Sequence, residues 1–188
     1  LDFALSPHGE WLASVRLDRQ LTISDREETR RRDLEPQDIA FTDYHSLTAS
    51  PDGSLLAFRA IEAKGEDIWN LYVMDREGRG VRRFTDLKGF HPSTRSSGQV
   101  NGLAWTADGA HLVYSVDGHP EQRGIWAFDL DVGQARRLFV WQEGEWAAVP
   151  GWGQPEVLAD PAVFDSPVGV SRDGDGQGNA IAVWAPAT

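Results

Sequence analysis

Short apolar runs, each preceded by the same kind of turn, dominate the hydrophobic pattern of this chain. The turn phrase occurs four times, as Ser6-Pro7-His8-Gly9, Ser50-Pro51-Asp52-Gly53, Thr106-Ala107-Asp108-Gly109 and Ser171-Arg172-Asp173-Gly174. An apolar run follows directly in the first three copies, and after a Gly-rich insert in the fourth. Gly adopts positive φ without steric cost, so Asp-Gly and His-Gly pairs favour tight hairpins. Each phrase therefore predicts a hairpin between two strands.

Two further strands follow in the best-preserved copies. Residues 68–75 and 124–130 are aromatic-rich and alternate, and each leads through a Gly turn into a strand with an Arg-Arg pair, at 81–85 and 135–139. Four short strands joined by hairpins form the blade of a β-propeller. No segment of ten or more residues has a helical period, so we expect almost no helix. The pattern predicts an all-β propeller segment of about three and a half four-stranded blades, with boundaries at 1–36, 37–89, 90–146 and, incomplete, 147–188.

The repeat resembles that of the TolB-like β-propeller family. The residues that carry the resemblance are Ala49-Ser50-Pro51-Asp52-Gly53, Leu71-Tyr72-Val73-Met74-Asp75, Arg82-Arg83-Phe84-Thr85 and, in the next unit, Leu103-Ala104-Trp105-Thr106-Ala107-Asp108-Gly109. The resemblance implies a propeller fold and three kinds of occupation. These are a periplasmic protein that binds a protein partner, a propeller that gates a prolyl-oligopeptidase-type serine peptidase, and a lyase or lactonase-like propeller with an axial metal.

The composition of the chain narrows the classes of partner that it could bind. A formal net charge of −11 disfavours nucleic acid and anionic membrane surfaces, because like charges repel. No apolar run is long enough for a membrane helix, so we expect no membrane insertion. The absence of cysteine excludes a disulfide scaffold and thiolate metal sites but does not determine the compartment. The resemblance favours a periplasmic or secreted location over the cytoplasm.

Nothing in the sequence predicts catalysis by this chain. A prolyl-oligopeptidase-type enzyme needs a Gly-x-Ser-x-Gly nucleophile elbow, which is absent; the nearest Ser-Gly pair, Ser97-Gly98, lies in a predicted loop. We expect no catalytic residue and no cofactor. The chain is then at most the accessory propeller of a peptidase.

Two weak metal candidates stand beside simpler interpretations. Asp43 and His45 share one face of a predicted inner strand, and His91 from the loop before the third unit could join them at the axial mouth. The alternative, which we favour, is that His45 caps or packs this strand. Asp173, Asp175 and Asn179 resemble part of a calcium loop, but Trp184 stands where the bidentate Glu is expected, which favours a lengthened turn. We therefore predict no metal site.

The eight tryptophans fall into two groups. Five lie on predicted strands and are expected between blades, because aromatic rings bury a large area: Trp11, Trp69, Trp105, Trp126 and Trp184. Trp141, Trp146 and Trp152 fall in residues 140–154, which we interpret as an irregular loop. Aromatic residues on a loop either form a contact surface or fold back over the blade, and both alternatives stay open.

The function that these observations favour is a non-catalytic binding or scaffold propeller that presents loops to a protein partner. The alternative is an accessory, substrate-gating propeller of a prolyl-oligopeptidase-like peptidase, and a weaker one is a metal-dependent lyase or hydrolase. Three and a half blades do not close a ring, and open strand edges promote association. We expect the missing remainder of the same chain to complete the propeller, rather than a second copy.

Overall fold

The chain folds into consecutive antiparallel sheets. The computed structural model describes residues 2–25, 27, 30–64, 68–87, 99–117, 119–142, 145–148, 169–172 and 179–182. The first sheet contains β1 (Phe3–Leu5), β2 (Trp11–Val15), β3 (Leu21–Asp25) and β4 (Arg31–Asp33), and the second contains β5 (Phe41–Ala49), β6 (Leu55–Glu62), β7 (Asn70–Asp75) and β8 (Arg82–Arg83). The third contains β9 (Gln99–Trp105), β10 (His111–Asp117), β11 (Gly124–Asp129), β12 (Gln134–Gln142) and β13 (Glu145–Ala148), and a pair follows, β14 (Gly169–Arg172) with β15 (Asn179–Ala182).

Within each sheet the strands are neighbours in chain order, as expected for blades built from hairpins. This confirms the all-β fold and the four-stranded unit. The described residues contain no helix, which agrees with the missing helical period. No helix in this part of the chain is therefore a candidate to cross a membrane. The blade boundaries given above stay a prediction.

The first three turn phrases have the same geometry. Gly9, Gly53 and Gly109 have φ of 70°, 71° and 73°, in the left-handed region that a residue without a Cβ adopts freely. In the second phrase the Ser50 hydroxyl accepts a hydrogen bond from the Leu55 amide at 2.9 Å, and the Ser54 amide donates to the Asp52 carboxylate at 3.0 Å. Side chains within five residues thus satisfy the turn.

Both faces of the central strands are buried, because a blade packs against a neighbour on each side. Along β6, Leu56, Phe58 and Ala60 belong to the core shared with the first blade, whereas Ala57 between them belongs to the core shared with the third. Two indoles tie the blades together. Trp11 Nε1 donates to the carbonyl of Gly53 at 3.1 Å, and Trp105 Nε1 donates to the carbonyl of Thr48 at 3.3 Å. The inner strands β1, β5, β9 and β14 contact one another in this order.

The third sheet differs from the expectation at its outer edge. Residues 140–142 continue β12, and β13 pairs with it in antiparallel register, so that Trp141 lies opposite Trp146. The irregular loop predicted for 140–154 was therefore wrong for residues 140–142 and 145–148; residues 143–144 and 149–154, including Trp152, lie outside the described residues. The physical reason is strand propensity. Apolar residues run without a break from Leu138 to Trp141, the last three of them aromatic or β-branched, and only two residues separate the strands.

Candidate binding site on the inner strand of the second blade

The inner strand β5 is interrupted by a bulge that brings it close to the first blade. Its register with β6 shifts between His45 and Thr48, and Ser46 within this interval has φ of 53°. The Ser46 amide donates to the Asp2 carboxylate, which precedes β1, and His45 Nδ1 lies 3.7 Å from the same carboxylate. A bulge redirects side chains and leaves backbone groups unpaired in the ladder. Here it places His45 beside a carboxylate that is distant in sequence.

An arginine and a tryptophan complete the site. Arg59 lies directly opposite His45 on β6, and its guanidinium lies 4.9 Å from the ring centre of Trp69, in the segment just before β7. The Trp69 ring is in turn 5.0 Å from the imidazole of His45, in an edge-to-face arrangement. A guanidinium over an indole is a favourable cation–π contact. We call Asp2, His45, Arg59 and Trp69 the inner-strand cluster.

Arg59 also links the second blade to the third. One of its terminal nitrogens donates to the carbonyl of Val100 on β9. Burial lowers the pKa of Arg59, and the carboxylates of Asp2 and Asp43 act in the opposite direction; an arginine stays charged throughout such shifts. Its Nε is buried and has no hydrogen-bond partner among the described residues. The bond to Val100 and the contact with Trp69 hold the arginine in place, while the His45 side chain beside it is 47% exposed.

Solved structures similar to this chain are β-propellers. TolB from Acinetobacter baumannii matches with 19% identity and a TM-score of 0.55, over 100% of this chain and 38% of its own. The putative TolB from Agrobacterium tumefaciens matches with 21% identity and a TM-score of 0.52, over 73% of this chain and 44% of its own. The β-propeller domain of the trilobed protease from Pyrococcus furiosus, described as having an open velcro topology, matches with 19% identity and a TM-score of 0.51, over 73% and 40%.

The chain has a TolB-like β-propeller fold. At these identities the similarity establishes the fold and not the activity. The chain spans less than half the length of each of these three structures. No protein-family model and no curated protein matches the sequence.

In the structure Asp43 and His45, which the sequence offered together as metal candidates, contact different side chains. Asp43 Oδ2 lies 3.4 Å from Arg19 of the first blade, whereas His45 faces Asp2. The residue between them, Tyr44, is buried, which agrees with the expected alternation along β5. His91 lies outside the described residues. The described part of the propeller contains no group of three or more His, Asp or Glu side chains that could hold a metal. The weak axial candidate is not tested by these positions, and the absence of a metal site stays a prediction.

The other predicted sites lie mostly beyond what the structure describes. Of the calcium-loop candidates, Asp173 and Asp175 lie outside the described residues, and Asn179 begins β15. Trp141 and Trp146 occupy opposite positions of the β12–β13 pair, and Trp152 lies outside the described residues. These positions do not test the calcium-loop candidate, for which a lengthened turn was the favoured interpretation. They do not test the tryptophan contact surface either, and that surface stays a prediction.

Sequence reasoning missed three members of the inner-strand cluster: Asp2, Arg59 and Trp69. Trp11 and Trp105 are buried between blades as expected, whereas Trp69 and Trp126 are only partly buried; Trp184 lies outside the described residues. Arg59 offered the stronger signal. It is a charged residue in the middle of an apolar sequence run, Leu55 to Ile61, where an unpaired cation is unfavourable. An arginine in such a run indicates a partner from another strand or blade.

A cavity of about 300 Å³ near β6 and β7 contains a polar network that is separate from the inner-strand cluster. The Tyr72 hydroxyl donates to Glu62 at 2.7 Å, and Arg83 lies 3.5 Å from Glu62 and 2.7 Å from Asp86. Burial, together with the bond to Glu62, raises the pKa of Tyr72, so the phenol stays protonated. These groups satisfy one another, and we assign the cavity a structural role.

Proposed function

We propose that this propeller segment is a non-catalytic binding module, and that its inner-strand cluster contacts a protein partner. The observation that carries the proposal is the convergence of an exposed His45, a half-buried Trp69 and a fixed Arg59 from three different segments. Tryptophan and arginine are over-represented among the residues that dominate interface energies. Side chains already held in place lose little conformational entropy on binding.

A second candidate function is an accessory propeller domain of a serine peptidase. It is favoured by the similarity to the propeller domain of the trilobed protease. In this case the inner-strand cluster contacts peptide substrates or another domain of the same polypeptide. In both proposals the chemistry of the partner, and not a reaction at these residues, explains the cluster.

Two further statements belong to the same proposal. The remaining part of the same chain, rather than a second copy, closes the ring; the support is that the match covers only 38% to 44% of each similar solved structure. The TolB-like repeat favours a periplasmic or secreted location. The native mass of the full-length protein tests the first statement, because a monomer supports closure within one chain and a dimer contradicts it.

Site-specific photo-crosslinking in the cells that produce the protein tests the binding function. A photoreactive amino acid replaces His45 in the full-length protein, and in a matched control it replaces Val132, which is 65% exposed in the turn after β11. We expect a discrete adduct from position 45 that is absent from position 132, and that Trp69→Ala reduces. An adduct with another protein supports the binding module, and one within the same polypeptide supports the accessory domain. Equal adducts at both positions, or none at position 45, would contradict both.

A further inference from the structure

A second concave surface lies between the first and second blades. It is a groove of about 620 Å³, formed by β3, the segment after β4, and the facing parts of β5 and β6. Its volume falls within the usual range of ligand-binding clefts. The buried side chains of Leu21 and Leu34 line it, together with the partly buried Ile39 and Phe41. The groove therefore offers an apolar surface to whatever enters it.

The charges along this groove are predominantly negative. Asp33, Glu35 and Asp38 line it and are exposed, and none of the three side chains has an ion-pair or hydrogen-bond partner among the described residues. Lys64 is the one lining cation without such a partner in the same part of the chain, since Arg19 already pairs with Asp43. Three unpaired carboxylates against one lysine make the groove complementary to a cation.

A buried phenol provides a second, independent observation. Tyr44 lines the groove and is only 6% exposed, and its hydroxyl has no hydrogen bond to any described residue. Its ring is fixed between Phe41 and Phe58, at centroid distances of 5.5 Å and 5.6 Å. Burial, with a contribution from the charge of Glu35, raises the pKa of Tyr44 to about 12, so the hydroxyl keeps its proton. The hydroxyl is not one of the fully buried, unpaired polar atoms of the described residues, so it is reachable from the groove and free to bond a ligand there.

We propose that this groove binds a cationic peptide segment of the protein partner, with a lysine or arginine facing the three unpaired carboxylates and an apolar side chain against Ile39 and Phe41. The Tyr44 hydroxyl supplies a hydrogen bond to the peptide. This inference rests on the proposed binding function and adds the chemical class of the partner. Anionic partners are repelled by the same carboxylates.

Fluorescence anisotropy with the full-length protein tests the inference. The probe is a pentapeptide with a phenylalanine between two lysines and an uncharged label; the matched probe has glutamates in place of the lysines. We expect the lysine peptide to bind more weakly as salt increases, because ions screen exposed charges, and the glutamate peptide not to bind. Free cadaverine, which has the two ammonium groups without the peptide, should compete poorly.

Conservative variants locate the binding. Glu35→Gln and Asp38→Asn remove charge at exposed positions, and Asn tolerates the φ of 71° at position 38. Each should weaken lysine-peptide binding about two- to fivefold, and Tyr44→Phe about two- to tenfold. Asp131→Asn, in an exposed turn of the third blade, is the control and should change nothing.

Three results would overturn the inference: equal binding of both peptides, full competition by cadaverine, or unchanged binding in the Glu35→Gln/Asp38→Asn double variant with an unaltered near-ultraviolet circular dichroism spectrum. Failure of the inference is distinguishable from failure of the proposed function. A crosslink at position 45 together with no peptide binding retains the binding module and rejects only the cationic segment. Peptide binding without that crosslink retains the groove and rejects the inner-strand cluster as the contact site.

Discussion

The repeated turns and the inner-strand cluster use similar polar side chains in opposite ways. In the turn at Asp52, every bond of the carboxylate is made to Ser50 or Ser54, within two residues. In the inner-strand cluster, Asp2 meets His45 across 43 positions of sequence and two blades. The turn is satisfied before the blades assemble, whereas the cluster exists only after they have packed. Local satisfaction builds the scaffold, and the groups left available for a partner are those brought together by packing.

The largest expected effect is a difference in stability between two tryptophan variants. Trp11 is bonded to a repeated turn, and Trp69 belongs to the inner-strand cluster. Trp11 is 4% exposed and its indole bonds the Gly53 carbonyl, so Trp11→Ala should cost about 3–5 kcal/mol of unfolding free energy. Trp69 is only partly buried, so Trp69→Ala should cost less than about 1 kcal/mol. Urea unfolding of the full-length variants measures both. Similar losses in the two variants would show that the cluster is part of the scaffold.

The next effect compares two residues at positive φ. Gly53 has φ of 71° and room for a Cβ, since the nearest atom, of Pro7, would lie 3.6 Å away; Gly53→Val should still cost about 1–3 kcal/mol, because a β-branched residue is strained there. Ser46, in the bulge at φ of 53°, is already a non-glycine residue, so Ser46→Gly should change the stability by less than about 0.5 kcal/mol. Thermal melts compare them, and a larger loss for Ser46→Gly would reverse the distinction.

A smaller effect concerns pH. Hydrogen bonds from Ser50 and Ser54 hold the pKa of Asp52 below its usual value, and the bonds from Thr106 and Ala110 do the same for Asp108. A carboxyl with a lower pKa in the folded state stabilises the protein above its unfolded pKa of about 4, and this stability is lost as the pH falls through the folded value. The double variant Asp52→Asn/Asp108→Asn should therefore be less stable than the parent at pH 7 and approach it below pH 3. Urea midpoints measured across this range test the prediction, and a parallel pH dependence in the two proteins would contradict it.

The smallest effect asks whether a turn can be improved. In the first phrase His8 replaces the aspartate, and the Ser6 hydroxyl donates instead to Glu10 at 3.2 Å. His8→Asp should restore the bonds seen at Asp52 and raise the stability by about 0.5 kcal/mol, at the low end for a hydrogen bond because Glu10 repels the new charge. The midpoint of urea unfolding at pH 7 should rise, and His8→Asn serves as the uncharged control. A lower midpoint for His8→Asp than for His8→Asn would show that repulsion from Glu10 outweighs the new bonds.

The sequence alone determined the strands, the turns and the blade repeat. Asp52 and Gly53 act within a few residues of themselves, and a short, continuous apolar run indicates a strand buried on both faces, so neither signal requires knowledge of distant contacts. The β12–β13 pair was also within reach, because Leu138 to Trp141 carry strand propensity and only two residues separate the strands. In this segment the aromatic residues were assigned to a predicted loop, although their own strand propensity favours a strand.

Only the tertiary structure decided which side chains meet. No local pattern places Asp2 beside His45, because the bulge at Ser46 and the packing of β1 against β5 create that contact. Trp69 was predicted in the core and instead lies beneath Arg59, because its position depends on how the segment before β7 crosses the second blade. The groove at Tyr44 likewise needs two blades at a given separation. Turns and strands are encoded by interactions over a few residues, whereas a binding surface is a property of distances between blades, which a single sequence does not specify.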